Sequence, residues 1–232
     1  MKRNLDQCKA LAPAIFVCMA FVLATCSCRA ETHQKSSKWQ AELKSRRQAL
    51  SRTPKSTSFL NRRAVTLIKM SRASEALSEC KKSLAIDPKN LEAMSNLAWA
   101  LNELGRYDEA LKVCTDALAI DAQYSSFYFS RGCAYYNKKE YKRAITDFDE
   151  CVEIHPKWSD AYFQRAKCNE KLGLYQKEIE DATLSLQYNP KSATALNLRG
   201  YARSQLQQYD AAIADLSKSI ELDPKNAWSH KN

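Results

Sequence analysis

The chain has 232 residues, enough for one or two ordinary domains, but only four glycines and three histidines, which excludes a glycine-rich phosphate loop and a His-Glu-x-x-His metal motif. Its net charge of +10 is concentrated near the start: residues 1–56 carry 11 Lys/Arg against 3 Asp/Glu, and the remainder 25 against 23. The main body is nearly neutral, without the basic stripe that a nucleic-acid-binding array needs.

In chain order, the charged start from Met1 to Lys9 is followed by an apolar run from Ala10 to Ala24, about 15 residues and interrupted by Pro13. A membrane span needs roughly 20. With small residues after it (Ala24, Thr25, Ser27, Ala30), the run predicts a secretory leader over residues 1–28. The stretch Leu23-Ala-Thr-Cys26-Ser-Cys28 resembles the acylation box of bacterial lipoproteins, so Cys26 and Cys28 are the lipidation candidates. Thr25 is larger than the residue such a box places before its Cys; Cys28 has Ser27 there but loses the upstream Leu. Residues 29–38 are polar and read as a tether. Over residues 39–56, Trp39, Leu43, Ala49 and Leu50 have helical spacing, predicting a lone capping helix; its basic side (Lys44, Arg46, Arg47, Arg52) makes a helix lying on anionic lipid the alternative.

From residue 57 the chain repeats with a period of 34. Pro54, Pro88, Pro156, Pro190 and Pro224 share one slot, with Ala122 the exception, and Tyr107, Tyr141, Tyr175 and Tyr209 share another. The frames are 57–90, 91–124, 125–158, 159–192 and 193–226, leaving 227–232 as the start of an incomplete repeat or a tail. Counting slots from the start of each frame, slot 8 reads Ala64, Ala98, Gly132, Ala166, Gly200 and slot 20 reads Ala76, Ala110, Ala144, Glu178, Ala212. Two helices per repeat are predicted, at about slots 2–14 and 18–30, with Gly105 and Gly173 in the turn between them and the Pro slot ending the second. The turn at Ala122, without its Pro, is expected to be less rigid.

This spacing and these landmarks resemble the tetratricopeptide repeat (TPR), and the resemblance covers about three quarters of the chain. It implies an all-α fold, a right-handed superhelical solenoid of helix-turn-helix repeats in which each repeat touches only its neighbours. It further implies that slots 2, 5, 6, 9, 12 and 13 of each first helix line a concave peptide-binding groove. On those slots lie Asn61, Asn96, Trp99, Phe129, Tyr136, Phe163, Gln164, Lys167, Asn197 and Tyr201, with Asn102, Cys133 and Asn137 among the others. Amides can bond a passing backbone and aromatic rings can bury its side chains, which suits an extended segment. Family members that clamp a C-terminal carboxylate place Lys at slot 5 and Asn at slot 9 of one repeat and Asn at slot 6 of the next; only Asn96 fits, against Asn61 and Val65.

Comparison among the repeats stands in for an alignment. Slot 7 reads Arg63, Leu97, Arg131, Arg165, Arg199 and slot 23 reads Glu79, Val113, Asp147, Asp181, Asp215. An acid accompanies each Arg, and Val accompanies the one Leu, so an ion pair between the two helices of a repeat is predicted in four repeats and an apolar contact in the second. Glu178 breaks the small-residue rule at slot 20 and is expected to tilt to solvent or to reach Lys171 or Lys177, because a buried unpaired carboxylate is costly. Of five cysteines in the repeats, Cys80 and Cys114 read as small core residues, and Cys151 with Cys168 is the better candidate for a disulfide. An odd thiol mildly opposes an oxidising destination.

Nothing in the pattern calls for catalysis, a cofactor or a metal. The expectation is a non-enzymatic scaffold that holds a protein or peptide partner in the groove, without nucleic acid, probed by replacing Trp99, Phe129 and Phe163 together by Ala. The leader points to export, to the envelope or periplasm or to a lipid anchor in the membrane, with the cytoplasm as the alternative. A second reading makes the chain the recruitment arm of a larger enzyme or complex, and a bare last repeat would leave a C-terminal face for self-association.

Overall fold

The computed structural model describes residues 39–45 and 56–224, so the leader, its Cys26 and Cys28, the tether and the segment 227–232 lie outside the described residues. Residues 39–45 form helix α1. Ten helices then follow as five pairs: α2 (Thr57–Lys69) with α3 (Ala73–Ile86), α4 (Leu91–Glu103) with α5 (Tyr107–Leu118), α6 (Ser125–Asn137) with α7 (Tyr141–Ile154), α8 (Ser159–Lys171) with α9 (Tyr175–Tyr188), and α10 (Ala193–Gln205) with α11 (Tyr209–Leu222). First helices begin at slot 1 and second helices at slot 17, each one residue earlier than the apolar pattern alone suggests.

Each helix is held by a stripe at helical spacing. Leu60, Ala64 and Leu67 of α2 are buried, as are Ala76, Cys80 and Ser83 of α3; positions three and four apart share a face of the helix. The turns within pairs are alike in all five repeats. The slot 16 amide donates to the slot 11 carbonyl at 2.9 Å in each, from Arg72 to Leu67, Arg106 to Leu101, Glu140 to Tyr135, Leu174 to Asn169 and Gln208 to Arg203. This is the Schellman closure, and it demands a left-handed residue at slot 15. Gly105 (φ +71°) and Gly173 (φ +68°) supply it without strain, whereas Ser71, Lys139 and Gln207 are forced there at φ 57°, 63° and 60°.

The Pro slot sets the other boundary. Asp87, His155, Asn189 and Asp223, each preceding a Pro, have left the helical region (φ −128° to −145°, ψ 79° to 96°), and the helices before them end at slot 30. Without Pro at 122, α5 ends two residues earlier and its C-cap Ala119 stays in the right-handed helical region. The Pro ring bars its predecessor from helical conformation, which gives the second helix a definite end.

Pairs stack in order, each second helix against the first helix of the next repeat, and α2, α4, α6, α8 and α10 also touch one another along the series. Second helices make no such mutual contact among the described residues. First helices therefore crowd one side and second helices fan out on the other, so the all-α solenoid presents its first helices on the inside of the curve. Leu43 of α1 packs against the core of the first two repeats, and the Lys69 ammonium lies 4.9 Å above the ring of Trp39.

The predicted pairing between slots 7 and 23 is present. Arg131 grips Asp147 with two nitrogens (2.7 and 3.0 Å), Arg165 grips Asp181 and Arg199 grips Asp215 in the same way, and Arg63 meets Glu79 at 3.3 Å. In the second repeat, Leu97 and Val113 share an apolar cluster instead. Burial holds the Asp147 and Asp181 carboxyls above their ordinary value, and the guanidiniums offset only part of that.

Two sequence expectations are corrected. Glu178 neither tilts outward nor finds a cation: it is fully buried, both carboxylate oxygens lack hydrogen-bond partners, and Lys171 bonds Glu170 at 3.0 Å instead. Slot 20 lies where the paired helices meet, and its Ala counterparts are equally enclosed, so the Glu side chain has no route to water. Burial, reinforced by Glu170, pushes its carboxyl up to about 8. Likewise Cys151 and Cys168 are free, both fully buried, with the Cys151 thiol directed at the Ser125 carbonyl at 3.5 Å.

Candidate functional site

The inner surface deepens into a pocket of about 500 Å³ at the second to fourth repeats, reaching the start of the fifth. Its wall from α4 is Trp99, Asn102 and Glu103; from α6, Phe129, Ser130, Cys133 and Asn137; from α8, Asp160, Phe163 and Gln164. All ten occupy slots 2, 5, 6, 9, 12 or 13, the concave positions. Ser185 and Asn189 from the end of α9, Ser192 from the following turn and Thr194 of α10 close the far side.

The aromatic groups form a short ladder. Trp99 stacks on Phe129 with centroids 6.3 Å apart and planes within 10°, and Phe129 stacks on Trp158 at 4.7 Å. Phe129 also meets the edge of Phe148 at 5.7 Å, which ties the pocket wall to the core. Consequently the two rings differ in role: Trp99 is 43% exposed, while Phe129 is 5% exposed and belongs to the interior. Trp99 is the ring a ligand would touch, and Phe129 is the ring that holds it in place.

Polar groups are partly committed. The Asn102 amide N–H donates to the Ser130 carbonyl at 2.8 Å, bridging first helices of adjacent repeats, and its carbonyl oxygen is left without a partner. The Asn137 amide N–H donates to the Cys133 carbonyl within its own helix at 3.0 Å. Gln164 accepts from Lys167, whose ammonium lies 4.4 Å from the ring centre of Tyr136 and 5.9 Å from that of Phe163. Cys133 lines the wall, yet burial pushes its thiol up to about 12, so it stays protonated and is a poor nucleophile. Among the described residues no group of His, Cys, Asp or Glu is arranged to hold a metal ion.

Of the ten residues named from the concave slots, Trp99, Phe129, Phe163 and Gln164 come together in this pocket. Tyr136 and Lys167 stand beside it, engaged with each other. Asn197 and Tyr201 lie one repeat further along, and Tyr201 meets the edge of Tyr175 at 6.4 Å. Asn96 donates to the Asn61 backbone carbonyl at 3.4 Å. Asn61 is a correction: it is 1% exposed, and its amide N–H groups bond Asn90 at 2.9 Å and Glu92 at 3.1 Å. Asn90 is simultaneously the N-cap of α4, accepting from the Ala93 amide at 2.9 Å. Asn61 thus ties the first two repeats together at a helix start and offers a ligand nothing.

The residues missed in sequence were of two kinds. Glu103, Ser130, Asp160 and Thr194 sit on concave slots 13, 6, 2 and 2, so the slot rule alone could have found them. Ser185, Asn189 and Ser192 lie on no concave slot, and no signal in the sequence places them at the pocket.

Comparison with known proteins bears on the fold. Models of the tetratricopeptide repeat match residues 67–128, 125–158 and 193–226. A comparison with curated proteins gives no match. Among solved structures the chain is similar to MamA from Desulfovibrio magneticus RS-1 (18% identity, TM-score 0.62, covering 76% of this chain and 97% of that one). It is also similar to TTC0263, a thermophilic TPR protein of Thermus thermophilus (20% identity, TM-score 0.63, 74% and 93% covered). A third is YrrB, a TPR protein described as having an unusual peptide-binding site (18% identity, TM-score 0.57, 78% and 93% covered). At these identities the likeness is one of fold.

Proposed function

The chain belongs to the tetratricopeptide repeat family, and on that premise we propose that it is a non-catalytic adaptor holding an extended segment of a partner protein in the pocket between its second and fourth repeats. The family and the fold support an interaction scaffold. The observation that carries the finer reading is the composition of the pocket wall, an exposed Trp99 beside amides and hydroxyls on rigid helices. Exposed aromatic rings bury a ligand's side chains at small entropic cost, and the amides match a peptide backbone without reading its sequence.

Site-specific photo-crosslinking tests this. A crosslinker at Asn137, on the pocket wall, should trap a partner in cells, and Trp99→Ala should remove the adduct. A crosslinker at Lys218, on the exposed back of α11, should not trap it. Equal trapping from both positions would refute use of the groove.

The cell envelope is part of the proposal and rests on the leader, residues 1–28. Four of the five free thiols of the repeats, Cys80, Cys114, Cys151 and Cys168, are fully buried and out of reach of oxidants, so they do not oppose it; Cys133, on the pocket wall, is the exception. An intact mass beginning at Cys26 or Cys28 with acyl chains would support a lipid anchor; an unprocessed chain would move the protein to the cytoplasm.

A further inference from the structure

The carboxylates and ammonium groups of the inner surface are unevenly committed. Glu92 accepts from Asn61 at 3.1 Å and Glu170 from Lys171 at 3.0 Å. Lys167 is spent on Gln164 and on the face of Tyr136. Two acids remain, Glu103 and Asp160. Both are exposed, both line the pocket, and neither bonds a cation among the described residues; Asp160 meets only the Ser159 hydroxyl, at 3.5 Å. The fourteen residues of the wall include these two carboxylates and no Lys or Arg.

The aromatic side of the pocket has the same preference. The face of an indole carries negative quadrupole density and attracts ammonium and guanidinium groups, and Trp99 offers an exposed ring on the same helix as Glu103, four residues away and hence on the same side. Phe163 and Asp160 stand three apart on α8 in the same relation. Two aromatic–carboxylate pairs therefore line one cavity from the second and the fourth repeats, with α6 of the third between them. An acidic ligand would meet uncompensated repulsion there, and a purely apolar one would leave both carboxylates partly desolvated without a partner.

We propose that this pocket selects a partner segment presenting lysine or arginine side chains, one cation met by Glu103 beside the exposed ring of Trp99 and another by Asp160 beside Phe163. This rests on the reading of the pocket as a peptide site and adds its specificity. The amides of Asn102, Asn137, Gln164 and Asn189 would meet the flanking backbone, leaving selection to the charged and aromatic groups.

The test is to pan a library of displayed random dodecapeptides on the full chain and to measure the enriched peptides by fluorescence anisotropy against the parent protein, E103Q/D160N and W99A. The expected result is enrichment of peptides carrying Lys or Arg at two positions. Their affinity should fall about five- to tenfold in E103Q/D160N, the size expected of two exposed charge pairs, with a similar fall when the peptide's cations are replaced by Gln. Raising the salt from 50 to 500 mM should weaken binding to the parent protein and leave the residual binding to E103Q/D160N little changed. Enriched peptides that are neutral or acidic, lost in W99A but indifferent to E103Q/D160N, would overturn the selectivity and leave the groove standing. Enriched peptides indifferent to W99A, or no enrichment at all, would overturn both.

Discussion

Replacing Gly132 by Ala tests the packing rule that relates slot 8 to slot 24. A Cβ at Gly132 would lie 2.8, 2.9 and 3.2 Å from three ring carbons of Phe148. That ring has nowhere to go, being fully buried and wedged edge-on against Phe129. Overpacking of this kind costs about 1–3 kcal/mol, and the better helix propensity of Ala returns about 1. The net expectation for Gly132→Ala is a destabilisation of up to about 2 kcal/mol. The remedy is present elsewhere in the chain: where slot 8 is Ala (Ala64, Ala98), slot 24 is the smaller Cys80 or Cys114, and all four are fully buried. In a Phe148→Cys background, itself weakened by the lost ring, Gly132→Ala should therefore be neutral or stabilising by up to about 1 kcal/mol. Urea denaturation of the four proteins in this cycle, followed by far-ultraviolet circular dichroism, should give a coupling of about 2 kcal/mol. A coupling near zero, with Gly132→Ala equally costly in both backgrounds, would show that the paired volumes of slots 8 and 24 are incidental.

Two further outcomes follow from the buried charges. Glu178 has a folded-state pKa raised to about 8 from an ordinary 4.5, so the folded protein holds the proton that the unfolded chain gives up. Its contribution is most favourable below about pH 4.5 and is lost as pH rises towards 8, at about 1.4 kcal/mol per pH unit through that window and about 4–5 kcal/mol in all. Chemical denaturation at intervals from pH 5 to 8.5 should show this fall in the parent protein and a much flatter profile in Glu178→Gln; identical profiles would mean the carboxylate is not buried. For the slot 7 and 23 pair, Asp147→Val alone should cost about 3 kcal/mol, because it leaves the partly buried Arg131 without its partner. The double variant Arg131→Leu with Asp147→Val, which reproduces Leu97 and Val113, should recover most of that loss in a thermal melt.

What the chain declares by itself is what depends on neighbours along the chain or one period away. Gly105, Gly173 and the Pro slot set helix ends because a backbone torsion is decided locally. The pairing of Arg131 with Asp147 was legible because five repeats act as five tests of one contact, and the exchange for Leu97 and Val113 exposed the rule. The side of the helix that faces inward came from the resemblance to the tetratricopeptide repeat rather than from the repeats themselves.

Which residues on that side remain open to a ligand was decided by the stacking of one repeat on the next. Asn61, Phe129 and Trp99 all occupy concave slots, yet Asn61 is consumed by Asn90 and Glu92, Phe129 is enclosed by Trp158 and Phe148, and Trp99 alone of the three is exposed. Ser185, Asn189 and Ser192 enter the pocket only because the curve of the array brings the end of α9 around to it. Glu178 is enclosed because its slot lies where two helices meet, although its own chemistry would take it to water. A 34-residue period specifies a helix face; the depth to which a neighbouring repeat covers that face depends on the side chains of both, and only the tertiary structure resolves it.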